Sequence, residues 1–238
     1  MVTALILAGG MDAQFEMDIP KQFVNVNNRP LIIYTLEKFQ KHPEIDDIII
    51  VCLDGWQEMV RAYVKQFNIT KTTKILLGGR DAQESTYRGL EYLKQFMGAG
   101  DIVVVHDSIR PLVTESIISK SIRMCRKKRM GVAATYIRDT IMRSADGKEG
   151  YESMNRYLIM KVQTPQAFDF SYIWEMHNKA ITQGKTGAWD NSYMLDSIGE
   201  KVIFSEGSDL NLRINSTEDV AMFWALYQMN RAAENILE

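Results

Sequence analysis

Short runs of β-branched residues alternate with longer amphipathic stretches, and this rhythm sets what the chain can become. Residues 3–7, 47–53, 74–77, 102–105 and 132–137 read as strands; the purest are Ile48-Ile49-Ile50-Val51 and Ile102-Val103-Val104-Val105. Between them, 31–40, 57–67, 85–96 and 116–127 carry apolar residues at helical spacing, with Met59, Val60, Tyr63 and Val64 on one face of the second. Strands alternating with helices are the signature of βαβ units around a parallel sheet. Near-continuous Ile/Val runs suit strands covered on both faces. The expected fold is therefore α/β, a mostly parallel sheet flanked by helices. Right-handed crossovers would gather the C-terminal strand ends on one edge, where ligands bind in such sheets.

The rhythm breaks at residues 138–156, a polar stretch in which Asp146-Gly147 signals a turn, so an extended arm or hairpin is expected there. The chain then returns through 162–168, a helix from about Ser171, a strand at 202–204 and a last helix. Ser216 and Asp219 are spaced as a capping box for that helix, with Asp in place of the usual Glu or Gln. No repeat, low-complexity tract or linker divides the chain, which reads as one domain over 1–238. A net charge of -2 offers no basic surplus for nucleic acid. The cationic cluster at 123–129 reads as the solvated end of a helix. Two cysteines, Cys52 and Cys125, cannot form a disulfide framework and fit a reducing, cytoplasmic setting. The opening MVTALILAGG lacks a basic flank and reads as a buried strand, not a signal peptide. No run approaches the roughly 18 apolar residues of a membrane span.

Four motifs follow or flank strand ends. Leu7-Ala8-Gly9-Gly10, with Pro20-Lys21-Gln22 downstream, offers close backbone approach and a cation for phosphate, or else a plain tight turn. Val105-His106-Asp107-Ser108-Ile109-Arg110-Pro111 places a carboxylate where it could hold a divalent cation and an arginine where it could pair a phosphate; a capping aspartate with a surface arginine explains it equally well. His106 reads as a packed residue, since no second histidine sits at ligand spacing. Gln163-Thr164-Pro165-Gln166-Ala167-Phe168 is held extended before its proline. Asn211-Leu212-Arg213-Ile214-Asn215 alternates as an edge strand would, with Arg213 on the face of Asn211 and Asn215.

In this order, AGG…PKQ, GG…S…GL, VHD..RP, QTPQ.F and N.[KR] resemble the cytidylyltransferases that act on polyol phosphates, methylerythritol-phosphate and ribitol-phosphate enzymes among them. The likeness runs over about 5–223. It implies a Rossmann-like sheet with a projecting β-arm that joins a homodimer, and attack of a polyol phosphate on the α-phosphorus of CTP with Mg²⁺. By the same resemblance Ala8, Gly9, Gly10, Gly79, Ser85 and Asp107 face the nucleotide, and Asp107 the metal. Lys21, Arg213 and Gln14 take the catalytic positions, and Ser108, Arg110, Thr140, Arg156, Thr164 and Asp190 the polyol-phosphate side. The stretch Gln66-Phe67-Asn68-Ile69-Thr70-Lys71 leans toward the ribitol type. Alternatives are the methylerythritol substrate, another nucleotide or sugar phosphate, and a nucleotide-binding relative with weak or lost catalysis.

The chain departs from the family pattern at named positions. Asp12 stands for a glycine and Gln14 for an arginine in the first loop, Ala82 for an arginine, Trp189 for a threonine and Arg213 for a lysine. Glutamine donates hydrogen bonds but cannot neutralise phosphate. Joint Asp12→Gly and Gln14→Arg substitution should therefore raise steady-state pyrophosphate release about tenfold or more, the scale of one restored transition-state donor. An unchanged or slower rate would show that another cation, such as Arg80, already serves that position.

Overall fold

The computed structural model describes residues 1–9 and 19–237, the last seven of these by backbone alone. In chain order the elements are β1 (Val2–Ala8), a 3₁₀ turn (Lys21–Phe23), β2 (Asn25–Val26), β3 (Arg29–Pro30), α1 (Leu31–Lys41), β4 (Asp47–Cys52), α2 (Gln57–Gln66), β5 (Thr72–Leu77), α3 (Ala82–Leu93) and β6 (Ile102–Asp107). There follow α4 (Glu115–Lys128), β7 (Met130–Tyr136), β8 (Ile141–Arg143), β9 (Glu152–Met154), a second 3₁₀ turn (Arg156–Leu158), β10 (Met160–Asp169), α5 (Phe170–Thr182), α6 (Asn191–Ser197), β11 (Phe204–Glu206) and α7 (Thr217–Leu237).

One seven-stranded sheet, ordered β11-β7-β10-β6-β1-β4-β5, organises the described residues. Only β10 runs antiparallel to its neighbours β6 and β7. The reason lies in its connection. β10 follows β7 through the β8–β9 hairpin and not through a crossover helix, and a parallel neighbour needs a crossover. Alternation along β1 then sorts the core. Ala4, Ile6 and Ala8 pack with Ile32, Ile33, Leu36 and Phe39 of α1 and with Ile118 and Ile122 of α4. Leu5 faces the opposite layer with Leu90 and Leu93 of α3 and Ile173 of α5. Both faces are covered, as the unbroken apolar strands foretold.

The register fixes the functional edge. Leu7 pairs with Asp107 in the β1–β6 ladder, Ala8 with Cys52, and Cys52 with Leu77. The C-terminal ends of β1, β4, β5 and β6 thus finish together.

Several expectations shift. α3 starts at Ala82 and not at 85, because the Asp81 side chain caps it by accepting from Glu84 N at 2.8 Å. β11 begins two residues beyond the expected 202, and α6, capped by Asp190, was not anticipated. The 211–215 segment is irregular and not a strand. Its alternating pattern arises because Asn211 and Ile214 are buried while Arg213 is half exposed. The capping box holds: Asp219 N donates to Ser216 Oγ at 3.2 Å, and Ser216 N returns a bond to Asp219 Oδ2 at 3.0 Å. The arm is a β8–β9 hairpin, closed by Asp146 Oδ1 accepting from the main chain of Lys148 and Glu149. No helix among the described residues is long and apolar enough to cross a membrane.

Candidate active site

Two turns approach each other at the carboxyl edge. A Cβ added to Gly9, just beyond β1, would lie 3.5 Å from Ser85 Oγ and 4.0 Å from Gly78 Cα. Gly78 itself is anchored where β5 ends, its N–H donating to Cys52 O at 2.7 Å. Ser85, in the first turn of α3, accepts from Gly79 N at 3.0 Å and keeps its hydroxyl proton for another acceptor. Ala8 is tied on its far side, its carbonyl accepting from Gln22 Nε2 at 2.9 Å.

Beside these turns stands Asp107, the last residue of β6. Its Oδ2 accepts from Arg110 Nε at 3.1 Å and lies 3.5 Å from Arg213 Nε. The two arginines differ in exposure, 8% for the Arg110 side chain and 48% for Arg213. Arg110 is consumed internally, its Nη1 donating to Asn211 O at 2.9 Å. Arg213 leaves half of its surface to solvent and to any anionic ligand. Thr164 closes the group. Its Oγ1 accepts from Asp107 N at 3.1 Å, and its carbonyl accepts from Asn211 Nδ2 at 2.8 Å. The Thr164–Pro165 peptide is cis. Lys21 joins through the same segment, donating from Nζ to Asn215 Oδ1 at 3.1 Å, and Asn215 bonds back to Arg213 O.

Electrostatics separate the two carboxylates of this edge. Burial would raise the Asp107 carboxyl, but the Arg110 and Arg213 charges prevail and hold it below its ordinary value. Asp190 moves the other way: burial raises it first, and the Asp107 charge adds to the rise. Asp190 caps α6 by accepting from Tyr193 N at 2.7 Å.

The remaining expected residues fall as follows. Ser108 is buried, with its N–H on Leu7 O and its carbonyl accepting from Thr35 Oγ1. Thr140 and Arg156 are exposed on the arm; Arg156 Nη1 donates to Arg138 O at 2.5 Å, and neither bonds the Asp107 group among the described residues. Gly10, Asp12 and Gln14 lie outside the described residues. His106 is fully buried against Phe39, with Nε2 3.3 Å from Arg110 O, and burial pulls its pKa down to about 3. It is a packed residue, as expected. Sequence reasoning passed over a buried relay behind Asp190, in which His177 Nε2 meets Asn191 Oδ1 at 3.0 Å and Asn191 Nδ2 reaches Gln166 Oε1 at 3.2 Å.

Glycine turns facing a lysine, two arginines and a carboxylate across the C-terminal edge of a mostly parallel sheet define an α/β protein of the nucleotidyltransferase class. Residues 2–228 match the family described as IspD, 2-C-methyl-D-erythritol 4-phosphate cytidylyltransferase, and the chain belongs to that family. A ribitol-5-phosphate cytidylyltransferase of Lacticaseibacillus paracasei is 36% identical over 228 residues, spanning 94% of this chain and 97% of the relative. A 2-C-methyl-D-erythritol 4-phosphate cytidylyltransferase of Clostridium botulinum is 32% identical over 220 residues, spanning 92% and 94%. Among solved structures, 4-diphosphocytidyl-2C-methyl-D-erythritol synthase of Anaerococcus prevotii superposes with a TM-score of 0.78 at 25% identity, covering 95% of this chain and 96% of that one.

The opposed carboxylates yield a signed prediction. A carboxyl raised on folding opposes stability once ionised, and the penalty vanishes as pH falls below its unfolded value near 3.8. Asp190→Asn keeps the cap, because Asn serves that position as well as Asp. Urea unfolding should find the variant more stable than wild type at pH 7 and indistinguishable from it at about pH 3. A destabilised variant at pH 7 would show that the charge of Asp190 is compensated in the fold.

Proposed function

We propose that this chain transfers CMP from CTP to ribitol 5-phosphate, releasing pyrophosphate. The observation that carries the reading is the meeting, at one sheet edge, of a glycine turn with donors and acceptors for a base and a cationic group centred on Asp107. Among the described residues the Gly79 carbonyl accepts no hydrogen bond, so it suits the exocyclic amine of cytosine, which uracil replaces by an oxygen. The Ser85 hydroxyl would donate to the base, while Ala8, Gly9 and Gly10 line the nucleotide. A phosphate oxygen of the polyol phosphate attacks the α-phosphorus of CTP. The bond from that phosphorus to the bridging oxygen breaks, and pyrophosphate leaves.

Charge in such a transfer spreads over phosphoryl oxygens, so positioned cations supply most of the stabilisation. Lys21, braced by Asn215, and Arg213, braced by Asp107, are assigned to it, with Gln14 contributing only a neutral donor. Arg110 and Thr164 set the position of Asp107; Ser108, Thr140, Arg156 and Asp190 belong to the polyol-phosphate side. Mg²⁺ fits Asp107. Its Oδ1 accepts no hydrogen bond among the described residues, and this ion needs only one or two protein carboxylates besides phosphate and water. Bound there, it would neutralise triphosphate charge. Among the described residues no group of three acidic, histidine or cysteine side chains forms a protein cage for it.

The ribitol relative supports that substrate; the family description and the solved neighbours favour methylerythritol phosphate as the second reading. A third reading is a nucleotide-binding member with weak catalysis, which the altered first loop favours. A cytoplasmic setting is in keeping with two buried free thiols, Cys52 and Cys125. Purified protein given CTP and each polyol phosphate should release pyrophosphate fastest with ribitol 5-phosphate, and Lys21→Met should lower that rate about 100-fold, the scale of one lost transition-state contact. Preference for methylerythritol phosphate would install the second reading, and CTP binding without turnover the third.

We also propose a homodimer joined through the arm. Met142 and Tyr151 of the arm, and Tyr157 and Leu158 just beyond it, are all at least half exposed, a costly arrangement for a lone hairpin and its base. Deletion of residues 145–151 should halve the mass seen by light scattering at low micromolar concentration. An unchanged mass would place the interface elsewhere, or show that none exists.

A further inference from the structure

The turn that would read the base is not held by its own backbone alone. Glu84 and Arg88, four residues apart, stack on one face of α3, and Arg80 stands four residues before Glu84, just ahead of the Asp81 cap. Glu84 sits between the two guanidinium groups. Its Oε2 accepts from Arg80 Nε at 2.8 Å and from the Arg80 main-chain N–H at 3.0 Å, while Oε1 accepts from Arg88 Nη2 at 2.8 Å. Arg88 then reaches back along α3, and its Nη1 donates to Gly78 O at 2.6 Å. Main-chain groups of Gly78, Gly79 and Arg80 are thereby fixed in turn by Arg88, Ser85 and Glu84.

Two further observations make this a shaped surface. A Cβ at Gly79 would lie 2.5 Å from both Cβ and Cγ of Glu84, so the peptide runs directly against the stem of that side chain. The N–H groups of Gly78, Gly79 and Arg80 and the Gly78 carbonyl are committed, whereas the carbonyl of Gly79, like that of Arg80, accepts no hydrogen bond among the described residues. Arg80 is mostly exposed and Arg88 about one-third exposed, so neither is needed to fill the core. As surface ion pairs they contribute little to stability.

We propose that Glu84 and Arg88 are positioning residues for nucleotide selectivity: they hold the two peptides Gly78–Gly79 and Gly79–Arg80 so that the free Gly79 carbonyl meets the 4-amino group of a cytosine. This rests on the cytidylyltransferase reading only in taking the edge to receive a pyrimidine nucleotide. Neither side chain touches the reacting phosphates. Loosening the clamp therefore weakens base discrimination and leaves the chemical step intact.

Direct binding of CTP and UTP by titration calorimetry, independent of turnover, is the test. The protein should bind CTP more tightly than UTP. Arg88→Met, which keeps the apolar stem and removes the donor, should lower that preference about tenfold, the scale of one positioned hydrogen bond. Glu84→Gln should lower it by less, and Arg88→Lys should recover only part of it, because an ammonium cannot bond carboxylate and carbonyl in the same fork. Where turnover is measured, KM for CTP should rise and kcat stay within about twofold, with thermal midpoints close to wild type. An unchanged CTP-to-UTP ratio in folded Arg88→Met overturns the proposal, as does a wild type that binds both equally. Selective CTP binding lost in Arg88→Met, but without transfer to any polyol phosphate, would uphold the clamp and remove the proposed reaction instead.

Discussion

The Asp107 carboxylate is the interaction on which the rest of this edge depends. It ends a central strand, and it is approached by guanidinium groups from two separate parts of the chain. A carboxylate in that place would be costly to ionise without them. In holding them it fixes more than a charge. Arg110 carries the pull to the Asn211 carbonyl, Asn211 binds Thr164, and Thr164 returns to the main chain of Asp107. The circuit closes residues roughly 50 to 100 apart in sequence, and each member is partly or fully shielded from water, where hydrogen bonds to charged groups are strongest.

Division of labour follows from burial. Arg110 is spent on architecture, so the positive charge available at the surface of this group is that of Arg213. Arg213 is itself aimed by Asp107, and Asn215, two residues on, bonds the ammonium of Lys21. Two cations that follow distant motifs are thus carried by one short segment. Arginine in that place adds a fixed fork of donors to the charge, which suits a phosphate with several oxygens. The same logic keeps Asp190 distinct. Without a guanidinium partner among the described residues and facing the Asp107 charge, it is more easily protonated than Asp107.

Much of this was legible in the sequence because it rests on local patterns. Ile48–Val51 and Ile102–Val105 could hardly be other than buried strands, and motifs that follow strand ends had to share an edge. The Ser216 and Asp219 capping box was readable because both partners lie within one turn. What escaped depends on distance. The alternation of 211–215 imitates a strand, yet its polar faces are set by Thr164 and Asp107, contacts that no local period records. The start of α3 was misjudged because Asp81 in Gly-Gly-Arg-Asp reads as turn material, although its carboxylate is the cap. His177, Asn191 and Gln166 gave no signal, since a buried amide relay requires only that three residues far apart in sequence meet.

The central claim is that the base turn and the Asp107 group together form one nucleotide site. A crystal structure with CTP tests it most directly. The cytosine should lie against Gly79 and Ser85, with the triphosphate running toward Lys21 and Arg213 along the carboxyl ends of β1 and β6. A nucleotide bound at the opposite edge of the sheet, or in the cationic groove between α2 and β5 lined by Arg61, Lys65 and Lys74, would contradict it.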